Sequence, residues 1–141
     1  LECPVRRALP ARGRRRMKPG RSGLSRLLYA TRWSFRGLRA GWLHEAAFRQ
    51  EVLLIAVLLP LSMLLARDVT QWLLLVLPLF ALLTVELVNS AIEAVVDRIG
   101  DEFNELSGRA KDLGSAAVFI CLLAGAVSWL AIAYQNLLGE L

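Results

Sequence analysis

Three apolar runs fill most of the chain beyond its first forty-odd residues, at positions 46–66, 72–96 and 113–138. Each can reach the roughly 20 residues that a helix needs to cross a hydrocarbon core about 30 Å thick. Pro60 and Pro78 lie inside the first two runs. They would be poor choices in soluble helices but are tolerated as local kinks where membrane helices pack. With 56% hydrophobic residues in a chain of 141 and a mean hydropathy of +0.49, there is more apolar surface than an ordinary soluble domain of this size can bury. The charged residues gather in blocks instead of following the outward stripes of a soluble bundle. The fold class is therefore an all-α membrane protein with spans at about 46–66, 72–97 and 113–137. No apolar h-region stands near the start, so a secretory signal peptide is not expected.

Orientation follows from the basic residues. Of the 17 Lys and Arg, 13 precede Val52, one is Arg67, and Arg98, Arg109 and Lys111 follow the second run, with none beyond the third. The positive-inside rule then puts the N-terminus and the segment around 98–112 in the cytoplasm, and the turn near Arg67 and the C-terminus outside. Trp42, Trp72 and Tyr134 fall near the span ends, where interfacial anchors sit.

Residues 1–22, "LECPVRRALPARGRRRMKPGRS", hold three of the five prolines and no helical or strand period, which is the pattern of a mobile basic tail. Met17 follows "RGRRR" and offers an alternative start that would make 1–16 an upstream extension. A sequence pI near 10 raises nucleic-acid binding, but cytoplasmic charge on a membrane protein already accounts for it, and no nucleic-acid partner is expected. Residues 23–42 alternate apolar positions with Arg26, Arg32, Arg36 and Arg39 in the manner of an amphipathic helix lying on a membrane surface.

The second run ends in "VELVNSAIEAVVD" (85–97). At 100° per residue, Glu86, Asn89, Ser90, Glu93 and Asp97 fall at roughly 0°, −60°, +40°, −20° and +20°, so one helix face carries all five. An acidic side chain at the centre of a membrane helix costs about 2.5 to 3.5 kcal/mol, and two close together also repel, so protons or cations must neutralise them. Glu45, at the head of the first span, can reach the same level from another helix. Oxygen-only ligands suit a hard cation such as Mg²⁺, which leans on one or two carboxylates plus phosphate oxygens. Fourteen apolar residues before Glu86 span only about 21 Å, so the competing reading is that this face has already left the membrane and that Glu93 and Asp97 are solvated.

The segment 97–116, "DRIGDEFNELSGRAKDLGSA", reads as a cytoplasmic loop of mixed charge punctuated by Gly100, Gly108 and Gly114. In it, Lys111 and Asp112 are candidates for phosphate and metal contacts. No Walker A or protein-kinase motif is present. Cys3 and Cys121 have no metal-ligand spacing, and His44 lacks the further ligands that a zinc site needs. Cys121 is expected to pack as a small apolar residue.

"GLRAGWLHEAAFRQE" (37–51) and "ELVNSAIEAVVDRIGDEFNELSGRAKDLGSAAV" (86–118), with three spans after a surface helix, resemble the prokaryotic diacylglycerol kinase family over roughly residues 23–134. The resemblance implies a homotrimeric bundle in a bacterial inner membrane, with shared active sites that use ATP and Mg²⁺ to convert diacylglycerol to phosphatidic acid. By position, Glu86 resembles the general base and Glu45 and Glu93 the metal ligands, with Asn89 and Asp97 supporting them. Arg26, Trp33, Glu45, Glu93, Glu102, Phe103, Asn104, Lys111 and Asp112 match nucleotide-side positions. Arg26, Arg39, Trp42, Ala47, Arg49, Gln50, Glu51, Glu86 and Ser115 match lipid-side ones. Trp33 and Phe103 stand where the family commonly has Tyr, and Asn104 where it has His. Two other readings remain open: an undecaprenol kinase on the same fold, and a proton-coupled transporter or accessory subunit, for which an intramembrane Glu is also typical.

Overall fold

A computed structural model describes residues 23–100, 102 and 104–138. Among them four α-helices follow in order: α1 (Leu24–His44), α2 (Ala46–Leu65), α3 (Val69–Ile99) and α4 (Glu105–Ala133), with α4 continued by a π-helical turn at Tyr134–Leu138. The basic tail expected at 1–22 lies outside the described residues. The chain divides after Ser34 into two compact units. The first contains the opening turns of α1, where the Thr31 and Ser34 hydroxyls donate to the carbonyls of Leu27 and Ala30, four residues back.

The second unit, from Phe35 onward, is built around α3. Its buried residues Leu75, Val76, Leu79, Leu82, Glu86 and Asn89 recur mostly at steps of three and four, the spacing that lines one helix face. The face is apolar through Leu82 and polar from Glu86. Phe48 and Ile55 of α2 and Ile132 of α4 complete the buried apolar core. At 1.5 Å per residue, the 31 residues of α3 run about 46 Å, half as long again as a hydrocarbon core. Three helices, α2, α3 and α4 with its continuation, are long and apolar enough to cross a membrane.

Antiparallel pairing of α3 with α4 is pinned along its length. Trp129 Nε1 donates to the Leu75 carbonyl at 3.1 Å, in a turn where Pro78 supplies no backbone N–H. Gly125 lies against the Pro78 ring. Further along, Gly114 meets Asn89, and Lys111 pairs with Asp97 at 2.6 Å.

The expected loop at 97–116 is largely helix, which corrects the reading of its glycines. Gly100, with φ of 148°, does end α3 in a conformation that favours glycine. Gly108 and Gly114, in contrast, lie inside α4. The helix starts early because Asn104 Oδ1 accepts the backbone N–H groups of Leu106 and Ser107 at 2.9 and 3.2 Å, satisfying donors that a helix start leaves open.

At the opposite end, Asp68 caps α3 by accepting the Gln71 N–H at 2.9 Å. Asn136, carried on the π-helical turn and buried, donates to the Leu65 carbonyl and to Gln71 Oε1 at 2.9 and 2.7 Å. Arg67 Nη2 donates to the Asn136 carbonyl at 2.7 Å. The end of α4 is thus tied to the turn between α2 and α3.

Candidate functional site

The polar half of the α3 face gathers the acids. Glu86 is 4% exposed and Asn89 8%, while Glu93, one turn further, is half-buried. Asn89 Nδ2 donates to Glu93 Oε1 at 2.9 Å, which fixes that carboxylate on the helix surface. Asn89 Oδ1 is buried with no hydrogen-bond partner and rests against Gly114 of α4. A methyl carbon at 114 would overlap this oxygen, so a residue without a side chain is what lets α4 close over Asn89.

Two acids arrive from outside α3. Glu45 occupies the one-residue break between α1 and α2 with extended backbone, φ −105° and ψ 116°, and its side chain makes no capping bond to α2. Glu86 and Glu93 stand seven residues apart on α3, two turns along the same face. Glu51 of α2 is 8% exposed, and its Oε2 has no hydrogen-bond partner. Glu51 Oε2 on α2 and Asn89 Oδ1 on α3 are thus buried oxygens without hydrogen-bond partners.

The break that places Glu45 is itself braced. Arg49 Nη1 donates to the Trp42 carbonyl at 3.1 Å, satisfying an acceptor at the end of α1. Gly41 is buried, and a Cβ there would press at 3.1 to 3.2 Å on Leu87 of α3 and Phe48 of α2. The missing side chain brings the end of α1 close against both helices.

The remaining expected residues fall as follows. Lys111 is held by Asp97, while Asp112 and Ser115 are exposed on α4. Glu102 is exposed between the helices. The Asn104 amide oxygen is committed to capping α4. Phe103 lies outside the described residues. Arg39, Trp42, Ala47 and Gln50 are exposed near the break between α1 and α2. Arg26 and Trp33 belong to the first unit and are exposed on α1.

Among the described residues no three His, Cys, Asp or Glu side chains come close enough to hold a metal ion by themselves. Glu45 and Glu93, the two acids expected to hold a cation, are half-buried and offer oxygen donors only, which suits a hard divalent cation that completes its shell with phosphate and water. Nothing in the local sequence pattern marks Gly114 or Gly41 as a site residue. The signal available for Gly114 was a small residue at the point where an antiparallel α4 crosses Asn89, and it appears only once the α3–α4 register is known.

The sequence model for prokaryotic diacylglycerol kinase matches residues 32–133. The diacylglycerol kinase of Escherichia coli (strain K12) is 44% identical over 115 residues, covering 82% of this chain and 94% of the relative. That of Pseudomonas aeruginosa is 47% identical over 113 residues, with 80% and 92% covered, and that of Haemophilus influenzae is 44% identical over 108 residues, with 77% and 92% covered. Three apolar helices, a buried acidic face on the second of them, and matches of this extent establish that the chain belongs to the prokaryotic diacylglycerol kinase family, a family of membrane enzymes.

Proposed function

We propose that the protein transfers the γ-phosphoryl group of ATP to the free hydroxyl of diacylglycerol, giving phosphatidic acid and ADP, at the cytoplasmic face of a bacterial inner membrane. The observation that carries this reading is the buried Glu86 carboxylate, on the same α3 face as a Glu93 that Asn89 holds in place. Phosphoryl transfer demands positioning and charge neutralisation more than covalent chemistry, and this face offers both.

In the proposed reaction Glu86 accepts the proton of the lipid hydroxyl as that oxygen bonds to the γ-phosphorus and the bond to the β–γ bridging oxygen breaks. A general base of this kind contributes about 10²- to 10⁴-fold. Glu45 and Glu93 would hold Mg²⁺, which when bound neutralises charge on the phosphate oxygens. Lys111, with Asp112, Glu102 and Asn104, would orient the nucleotide. Arg39, Trp42, Arg49, Gln50, Glu51 and Ser115 would serve the lipid side. An apolar cleft of about 260 Å³ between α2, α3 and α4, bordered by Leu54, Leu79, Leu82 and Trp129, begins one turn below Glu86 on the same α3 face and is suited to an acyl chain.

The same reading has α1 lying along the membrane surface through its arginines, the N-terminus inside and the C-terminus outside, and the active enzyme as a homotrimer. Purified protein in detergent, given ATP labelled at the γ-phosphate, is expected to label diacylglycerol in preference to undecaprenol and only with Mg²⁺ present. Labelling of undecaprenol alone would assign the polyprenol reaction. Ion flux without ATP consumption would instead make the protein a transporter.

A further inference from the structure

The ammonium of Lys111 on α4 lies 2.6 Å from Asp97 Oδ1 on α3. Asp97 follows Glu93 by four residues, so the two share a helix face, and the charge of Glu93 reaches Lys111 as well. Both members of the pair are substantially exposed, at 40% and 64% of their side-chain surface, and exposed pairs contribute little to stability. Fold stability therefore does not account for a short contact between the two helix ends that flank residues 100–104. A lysine ammonium has three donors, so one bond to Asp97 leaves two for other oxygens. Without Asp97, the Glu93 carboxylate, one turn back on the same α3 face, would be the next to attract Lys111. The ammonium would then compete with a cation for the Glu93 oxygens, and its long stem would have to be ordered each time phosphate bound.

We propose that Asp97 is a positioning residue: it holds Lys111 across the gap between α3 and α4, off Glu93, with its remaining donors available to the phosphates of the nucleotide. The proposal rests on the lipid-kinase reading above and gives Asp97 a task that neither solvation nor helix stability would require.

The test uses the full chain in detergent and compares Asp97→Asn, Asp97→Ser, Asp97→Glu, Lys111→Ala and the Lys111→Ala/Asp97→Asn double variant. Removal of the carboxylate is expected to raise the KM for MgATP about two- to fivefold, the scale of an exposed ion pair. It should weaken MgADP binding by calorimetry to the same extent, while the KM for diacylglycerol and the thermal midpoint stay at wild-type values. Asp97→Glu should restore nucleotide affinity, and Asp97→Asn should add no further penalty once Lys111 is alanine. Unchanged or tighter nucleotide binding in both Asn and Ser variants would overturn the proposal. So would a full Asp97→Asn penalty on the Lys111→Ala background. Failure of the underlying reading shows separately, in a wild-type protein that transfers no phosphate to lipid.

Discussion

Asn89 is gripped from two sides, by its bond to Glu93 and by the packing of Gly114 against its amide oxygen, so the carboxylate it orients depends on a residue 25 positions beyond Asn89 in sequence. Gly114→Ala should push the amide aside and free Glu93. The expected result is a higher Mg²⁺ requirement and an activity loss of about three- to tenfold, the scale of one buried hydrogen bond, measured as initial rate against Mg²⁺ concentration. Glu86→Gln keeps the shape and removes the base, so kcat should fall about 10²- to 10⁴-fold while MgADP binding, followed by calorimetry, holds. A Gln variant with wild-type kcat would remove Glu86 from this role. The shared face of Glu86, Asn89, Glu93 and Asp97 was legible from helical periodicity alone. The isolation of Asn89 Oδ1 was not, because it depends on what α4 places opposite.

At the scale of elements, the third apolar run is a longer helix than its hydropathy suggested, beginning at Glu105 instead of 113. An interior glycine costs about 1 kcal/mol relative to alanine. The Asn104 cap and the packing of α4 along α3 outweigh that cost at Gly108 and Gly114. The register of that packing is fixed toward the Val69 end of α3 by the bond from Trp129 to Leu75. Trp129→Phe should lower stability by about 0.6 kcal/mol, typical of side-chain hydrogen bonds within membranes, read as the midpoint of thermal unfolding in detergent. Asn136 ties the end of α4 to the α2–α3 turn through both its side chain and its carbonyl. Asn136→Ala should cost more than Trp129→Phe in the same measurement and leave the KM for ATP unchanged, since the network lies at the other end of α3 from Glu86.

Across the whole molecule, burial is unequal. Of the residues in their most apolar stretches, 33% are buried in α3, 22% in α2 and only 6% in α4, and Leu64, Met63 and Leu130 are 70% exposed or more. Soluble monomers rarely carry such apolar surface, so lipid or further copies must cover α4. A homotrimer meets this need, and the mass of the purified protein after subtraction of bound detergent should be that of three chains; a persistently monomeric active species would rule it out. The three spans, the class of the fold, the likeness to a kinase family and the helical face on which the acids lie can all be read along the chain, because hydropathy and the 3.6-residue period act locally. What closes that face is visible in the packed helices alone: Gly114 over Asn89, Glu45 uncapped at a braced break, Glu51 buried on α2, and Lys111 drawn to Asp97. Each depends on the register between helices, which is set by side chains far apart in sequence and leaves no periodic trace in either helix alone.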